Sequence, residues 1–269
     1  MHPTLIEAGW FQIRSYGFML ALSFLVGIYL AAWRAKRRGV KPQDMLDLSV
    51  YIILAAVVGS RFLYVLFHLE DYSSPLEFFA LWEGGATFYG GLGLALAAAV
   101  WFTRRKGLSF LAVADIMTPS IALGMALTRV GCFLSGCCYG RPTDAPWGVL
   151  FPTSCQAGRY SADVAIELGT NVVHLHPTQL YSSLYGLAIF VVLLLVERRL
   201  TRRGALFGLL LVLAGLSRFT VDFFRFYEES SRVIAGLTVS QVTAVGLAAL
   251  GVYLLVRKPR ASGRVSEHR

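Results

Sequence analysis

Seven mostly apolar stretches, at approximately residues 16–33, 46–67, 86–102, 111–135, 179–196, 205–223 and 237–256, leave this chain few ways to fold. Each comes close to the roughly 20 residues with which a helix crosses the hydrocarbon core of a bilayer. In lipid every backbone N–H and C=O must be satisfied within its own segment, so such stretches cross as helices. A mean hydropathy of +0.59 and a hydrophobic content of 56% exclude an ordinary soluble domain. The expected fold class is all-α: a polytopic membrane protein with seven transmembrane helices over residues 1–257 and a polar tail at 258–269. The first stretch does not read as a cleavable signal, because basic residues follow it rather than precede it.

Charge sets the expected orientation. The connections after the first, third, fifth and seventh stretches read RAKRRGVK, RRK, ERRLTRRG and RKPRASGR, whereas those after the second, fourth and sixth carry HLEDYSSPLE, RPTDAPWG and RFYEESSR. Basic residues mark the cytoplasmic side, so the N-terminus is expected outside and the C-terminus in the cytoplasm. The same split accounts for the net charge of +9 and the pI near 9.6. Four short basic clusters beside anionic headgroups do not make the continuous patch that a nucleic acid needs, so no nucleic-acid partner is expected. The outer side would then carry two loops, 68–85 and 136–178. The second, with Pro142, Pro146, Pro152 and Pro177, is long enough to cover a site.

Three arginines interrupt stretches otherwise built for lipid: Arg61, Arg129 and Arg218. A guanidinium at membrane depth costs at least about 3 kcal/mol and is kept where it meets a polar cavity or an anion. Arg129 opens the run RVGCFLSGCCYGR at the outer end of the fourth stretch, where Gly131, Gly136 and Gly140 admit close backbone approach. Arg218 stands four residues before Asp222 in SRFTVDFFR, so the two share a helix face and can pair. Close helix packing and a scaffolding ion pair are the bland alternatives. A guanidinium fork suits a phosphate, and two converging forks would hold a lipid phosphodiester and stabilise a departing one. Tyr16, and Tyr89 within WEGGATFYGG, fall at similar depth, where tyrosines often serve as interfacial anchors.

Taken together, RSYG, GSRFLYVLF, EGGATFYGG, TRVGCFLSGCCYGR, HPTQLY and SRFTVDFFR, in this order on seven stretches, resemble the bacterial prolipoprotein diacylglyceryl transferase family from about Arg14 to Arg225. The resemblance implies transfer of a diacylglyceryl group from phosphatidylglycerol to the lipobox cysteine thiol of a prolipoprotein. Glycerol phosphate is released, on the outer side of the bacterial inner membrane. It implies catalytic roles for Arg129, Arg218, Tyr16 and Tyr89. Asp222 matches the family's acidic partner, Gly140 its signature glycine, and Arg61 and the His176–Gln179 run further family positions. Gly85, Gly90, Cys132 and Cys137 become candidates for contact with substrate. The donor carries its own leaving group, so neither a metal nor an organic cofactor is expected.

The departures from the family pattern lie around the reacting atoms. Tyr89 stands where the family has a histidine taken as general base, and Cys132, Ser135 and Cys137 stand where it has Asn, Asn and Glu. A tyrosine with an ordinary pKa of about 10 is a poor base at neutral pH. Cys132, Cys137, Cys138 and Cys155 all fall on the outer side, where disulfides, inert buried thiols, a zinc site shared with His174 or His176 and reactive thiols are each open. The C-x4-C-C spacing lacks the usual C-x2-C clip of structural zinc. Reactive thiols would suit an alternative function, a membrane thiol oxidoreductase or a related lipid-modifying enzyme. A lipid or anion transporter is the non-enzymatic alternative, disfavoured by the lack of an internal repeat.

Overall fold

The computed structural model describes residues 3–8, 11–71, 87–227, 232–234 and 236–257. Among the described residues there are eight α-helices: α1 Ser15–Arg37, α2 Pro42–Phe67, α3 Phe88–Arg105, α4 Phe110–Ser135, α5 Gln156–Glu167, α6 Thr178–Val196, α7 Ala205–Asp222 and α8 Val239–Val256. All but α5 coincide with the apolar stretches to within a few residues. Six of them, α1, α2, α4, α6, α7 and α8, are long and apolar enough to cross a membrane. The expected third span is the exception. At 18 residues α3 includes Arg104 and Arg105 in its last turn, so its apolar part is short. Large side chains such as Leu25, Leu54, Val58, Leu195 and Val256 stand open on the outer helix faces. So much exposed apolar surface is costly in water and favourable in lipid.

Two short antiparallel strand pairs accompany the helices among the described residues. Strands β1 (Thr4–Ala8) and β2 (Phe11–Arg14) pair ahead of α1, and β3 (Arg232–Ile234) and β4 (Leu237–Thr238) pair ahead of α8. The first pair runs directly into Ser15, whose backbone N–H donates to the carbonyl of Pro3. It therefore sets where Tyr16 enters α1. Thr238 caps α8 with a reciprocal box, its hydroxyl accepting from the Gln241 N–H while the Gln241 side chain accepts from the Thr238 N–H.

The chain divides into two compact units, Met1–Gly27 with Thr118–Arg269, and Ile28–Met117. The divisions fall next to Gly27 in α1 and Pro119 in α4, a proline that cannot continue the helical hydrogen-bond ladder. In the smaller unit α2 packs tightly on α3. A methyl group on Gly59 would lie 2.5 Å from the Gly90 carbonyl oxygen, and one on Gly90 would collide with the Gly59 carbonyl oxygen. In the larger unit Gly208 and Gly251 bring α7 and α8 together the same way. Small residues at a crossing let helix backbones approach where no hydrophobic effect drives association. Gly90→Val is expected to cost about 2 kcal/mol or more by overpacking, read as a lowered thermal unfolding midpoint in detergent. Gly93→Val, with nothing within 4 Å of its site, is the neutral control.

The segment 136–178, expected as a loop, is itself folded. It contains α5, bridges Leu175 to both Pro142 and Val149, and has its own core of Tyr139, Phe151, Cys155, Ala157, Ala165, Val173 and Leu175. The apolar periodicity of α5 spans only three turns among prolines and polar residues. That is too short to stand out against a loop in the sequence.

Candidate functional site

The site is built at one end of the larger unit, where the start of α1, the ends of α4 and α7 and the starts of α6 and α8 meet. Gly131 on α4 lies against α1: a methyl group there would be 2.8 Å from Met19 Cβ and 3.4 Å from Tyr16 Cα. This close approach brings Tyr16 beside the last turns of α4. The charge of Arg129 reaches Tyr16, Cys132, Cys138 and Arg218, so the two arginines share one neighbourhood. Arg225, just beyond α7, completes the group, its charge also reaching Cys138 and Arg218.

Arg218 is fixed in place. Its Nε donates to Ser240 Oγ at 2.6 Å and its Nη2 to the Tyr227 hydroxyl at 2.6 Å, with Asp222 Oδ1 3.3 Å away. Buried Asp222 is satisfied in turn by the Tyr227 hydroxyl at 2.9 Å and by Thr238 Oγ1 at 3.3 Å. Burial pushes the Tyr227 phenol above its usual pKa, so it stays protonated and both accepts from Arg218 and donates to Asp222. Every partner lies to the Nε and Nη2 side; Nη1 has none among the described residues. Arg129 goes further, making no hydrogen bond or ion pair among the described residues.

Backbone beyond the helix ends closes the site. Gly136, at φ +67°, ends α4 and turns the chain so that the Cys137 N–H bonds back to the Cys132 carbonyl at 3.1 Å. Cys138 follows in the left-handed region at φ +59°, unusual for a residue with a side chain. Its conformation is held from α6, where Thr178 Oγ1 donates to the Cys138 carbonyl at 2.9 Å and Gln179 Nε2 to the Cys137 carbonyl at 2.7 Å. Gln179 Oε1, also buried, has no partner among the described residues. Next, Gly140 threads between two other segments: its N–H bonds to the His176 carbonyl at 3.0 Å and the Arg141 N–H bonds to the Phe224 carbonyl at 2.9 Å. A methyl group on Gly140 would meet His176 Cβ at 2.5 Å, His176 O at 2.6 Å and Phe224 O at 2.7 Å.

Beside this weave lies a cavity of about 470 Å³ between α6 and α7, lined by Trp147, His176, Tyr181, Leu184, Tyr185 and Phe224 among others. The Tyr181 hydroxyl accepts from Trp147 Nε1 at 2.8 Å and meets His176 Nδ1 at 3.0 Å. Burial lowers the His176 pKa, which favours its neutral form. All four cysteines are free thiols. Cys155 packs in the core of segment 136–178, with its thiol on the Pro152 carbonyl, apart from the other three.

The structure thus brings Tyr16, Arg129, Cys132, Cys137, Gly140, Arg218 and Asp222 to one place. Arg61 and Tyr89 belong to the smaller unit. There Arg61 is buried, 5.9 Å from the centre of the Tyr64 ring, and Tyr89 is exposed beside Phe88. Gly90 serves the α2–α3 crossing, and Gly85 lies outside the described residues. The site residues that motif reading passed over are Tyr227, Thr238, Ser240 and Arg225. Arg225 closes the SRFTVDFFR motif, and Thr238 opens a capping box; neither signal assigned the residue to the site.

Comparison with known proteins gives the family. The family described as prolipoprotein diacylglyceryl transferase matches residues 3–257. A relative from Geobacter sulfurreducens, named phosphatidylglycerol–prolipoprotein diacylglyceryl transferase, is 34% identical over 94% of this chain and 94% of its own length. One of the same name from Burkholderia thailandensis is 35% identical over 97% of this chain and 96% of its own.

Proposed function

The chain belongs to the prolipoprotein diacylglyceryl transferase family, and from that membership we propose that it transfers the diacylglyceryl group of phosphatidylglycerol to a prolipoprotein at the site around Arg129 and Arg218. The observation that carries the assignment to this site is Arg129, a half-buried guanidinium near the end of an apolar helix with no hydrogen bond or ion pair among the described residues. Such a charge is tolerable at membrane depth where an anion completes it. The relatives' names carry no support for a thiol oxidoreductase.

In the reaction the sulfur of the lipobox cysteine attacks the glyceryl carbon that bears the phosphate ester. The C–S bond forms, the C–O bond breaks, and its electron pair leaves on the phosphate oxygen of glycerol phosphate. Arg129 and the open Nη1 face of Arg218 grip the phosphodiester and stabilise the charge that develops on the leaving oxygen. Asp222, Tyr227 and Ser240 hold Arg218 rigidly, so little reorganisation is required as that charge grows. Tyr16, within electrostatic reach of Arg129, orients the donor. The aromatic cavity between α6 and α7 suits the apolar part of the lipid.

The membrane arrangement we propose has seven spans, with α3 among them, the N-terminus outside and the C-terminus cytoplasmic. Basic residues crowd the end of α1 (Arg34, Lys36, Arg37), the end of α3 (Arg104, Arg105), the α6–α7 turn (Arg198, Arg199, Arg202, Arg203) and the end of α8 (Arg257). All four fall on one side only if α3 also crosses. The site then faces the outer leaflet of the bacterial plasma membrane. The test is mass spectrometry of a lipobox peptide incubated with purified protein and phosphatidylglycerol. A gain of one diacylglyceryl mass on the cysteine is expected, and an unmodified peptide would overturn the reading.

A further inference from the structure

The reaction above leaves one proton without a destination. A thiol is a weak nucleophile until it becomes a thiolate. The family's histidine is replaced here by Tyr89. What the site offers instead is a cluster of sulfur: the Sγ atoms of Cys132, Cys137 and Cys138 all lie within 4.8 Å of one another.

Nothing about that cluster is accidental in its construction. The Gly136 turn folds Cys137 back over the last turn of α4, bridging a C-x4-C-C spacing that has no C-x2-C clip. Cys138 is held in a left-handed conformation through hydrogen bonds that α6 makes to the Cys137 and Cys138 carbonyls, which leaves its thiol to meet those of Cys132 and Cys137. A side-chain-bearing residue held at positive φ costs about 1–3 kcal/mol, and such strain collects at functional sites. Tetrahedral zinc with Zn–S bonds of about 2.3 Å spaces its sulfurs roughly 3.8 Å apart, so the three thiols need close by no more than about 1 Å. Three thiolates around a divalent ion leave one net negative charge, and Arg129 and Arg225, both within electrostatic reach of Cys138, offset it.

We infer that Cys132, Cys137 and Cys138 bind one zinc ion as three thiolates, and that the open fourth position binds the acceptor cysteine of the prolipoprotein. The second half rests on the transferase reading. Soft thiolate ligands select zinc among the available divalent ions, and three protein ligands with one open position are the pattern of a catalytic rather than a structural site. The acceptor S–H loses its proton to water as the Zn–S bond forms. The zinc-bound sulfur then gives its electron pair to the glyceryl carbon, and glycerol phosphate departs against Arg129 and Arg218. No oxidation state changes, and the product thioether, a far weaker ligand, leaves the metal.

Cobalt(II) is the probe. The reduced, metal-free full-length protein in detergent is titrated with Co2+, and we expect one equivalent to produce a thiolate-to-metal charge-transfer band and the intense visible bands of four-coordinate cobalt. A peptide carrying the lipobox cysteine should shift the visible bands and raise the charge-transfer intensity by roughly a third, as three thiolates become four. The same peptide with Cys→Ser should not. Cys132→Ser, Cys137→Ser and Cys138→Ser should each weaken cobalt binding by at least the roughly tenfold to hundredfold that loss of an outer-shell partner costs, whereas Cys155→Ser should leave the spectrum unchanged. Because the peptide response is read on the unaltered protein, the result does not depend on a variant folding.

Absence of thiolate–cobalt bands, or a disulfide within the triad in the protein as isolated, overturns the metal site. Bands that ignore the peptide overturn its role toward the acceptor. Transfer activity should fall on the order of a hundredfold after chelation and return with one equivalent of zinc. If stripped enzyme still modifies the peptide at full rate, the zinc inference fails and the transferase stands. If cobalt reports the bound peptide but zinc-loaded enzyme yields no product from phosphatidylglycerol, the metal site stands and the transferase reading fails.

Discussion

Replacing Arg129 with alanine should lower diacylglyceryl transfer by on the order of a hundred- to a thousandfold, the usual loss when one preorganised donor to a developing oxyanion is removed. The informative part is what should not happen. Arg129 makes no hydrogen bond or ion pair among the described residues, so its removal strands no partner. Taking away an uncompensated guanidinium should leave the thermal midpoint of the purified protein unchanged or slightly raised. Arg218→Ala makes the opposite pairing of effects. It too should lose activity, but it leaves the buried Asp222 carboxylate without its cation and Ser240 without its donor. Removing one partner of a buried pair costs about 3–5 kcal/mol, so this variant should also melt earlier. Arg129→Lys keeps the charge but loses the fork that grips two phosphate oxygens, and should recover only part of the rate. Peptide mass spectrometry and thermal unfolding of the same preparations check all three. An Arg129→Ala protein that transfers at the normal rate would remove the arginine from the mechanism.

Gly140→Val should have a large structural effect on the site. A β-carbon there meets two carbonyl oxygens and a side-chain carbon at 2.5–2.7 Å, and two of those atoms are backbone that cannot swing away. To admit it, the segments at 139–141, 174–176 and 224–226 must part, breaking the Gly140–His176, Arg141–Phe224 and Phe226–Tyr139 hydrogen bonds. Overpacking and lost buried hydrogen bonds together put the cost at about 3 kcal/mol or more. The expected result is a lowered melting temperature, new protease sensitivity in 136–178, and loss of transfer, because Arg225 and the Cys137–Cys138 turn are anchored by the same weave. Retained stability in Gly140→Val would mean that the three segments do not meet as described. The signature glycine is thus explained by the backbone on either side of it and needs no contact with substrate.

Both results bear on what could be read before the fold was known. The helices were legible because a bilayer imposes one rule on every spanning segment, that its backbone be satisfied internally, and length and apolarity then suffice to find them. The pairing of Arg218 with Asp222 was legible because helical spacing alone puts the two on one face. Ser240 and Tyr227 were not, since they reach Arg218 from another helix and from beyond the end of α7, and no spacing rule connects them. α5 was hidden by its shortness, whereas α3 was legible as a helix although its last turn carries two arginines that shorten its apolar part.

The sequence by itself determined the helical membrane architecture, the family, and the identity of the arginines, because hydropathy, charge and motif are local properties of the chain. Only the tertiary structure decided that Arg129 has no hydrogen bond or ion pair among the described residues while Arg218 is braced on its Nε and Nη2 side, and that three cysteines in an unfamiliar spacing close into one cluster. The physical reason is common to both. Whether a buried charge or thiol is satisfied depends on groups distant in the chain, and those are placed by helix crossings and turns that no local pattern encodes.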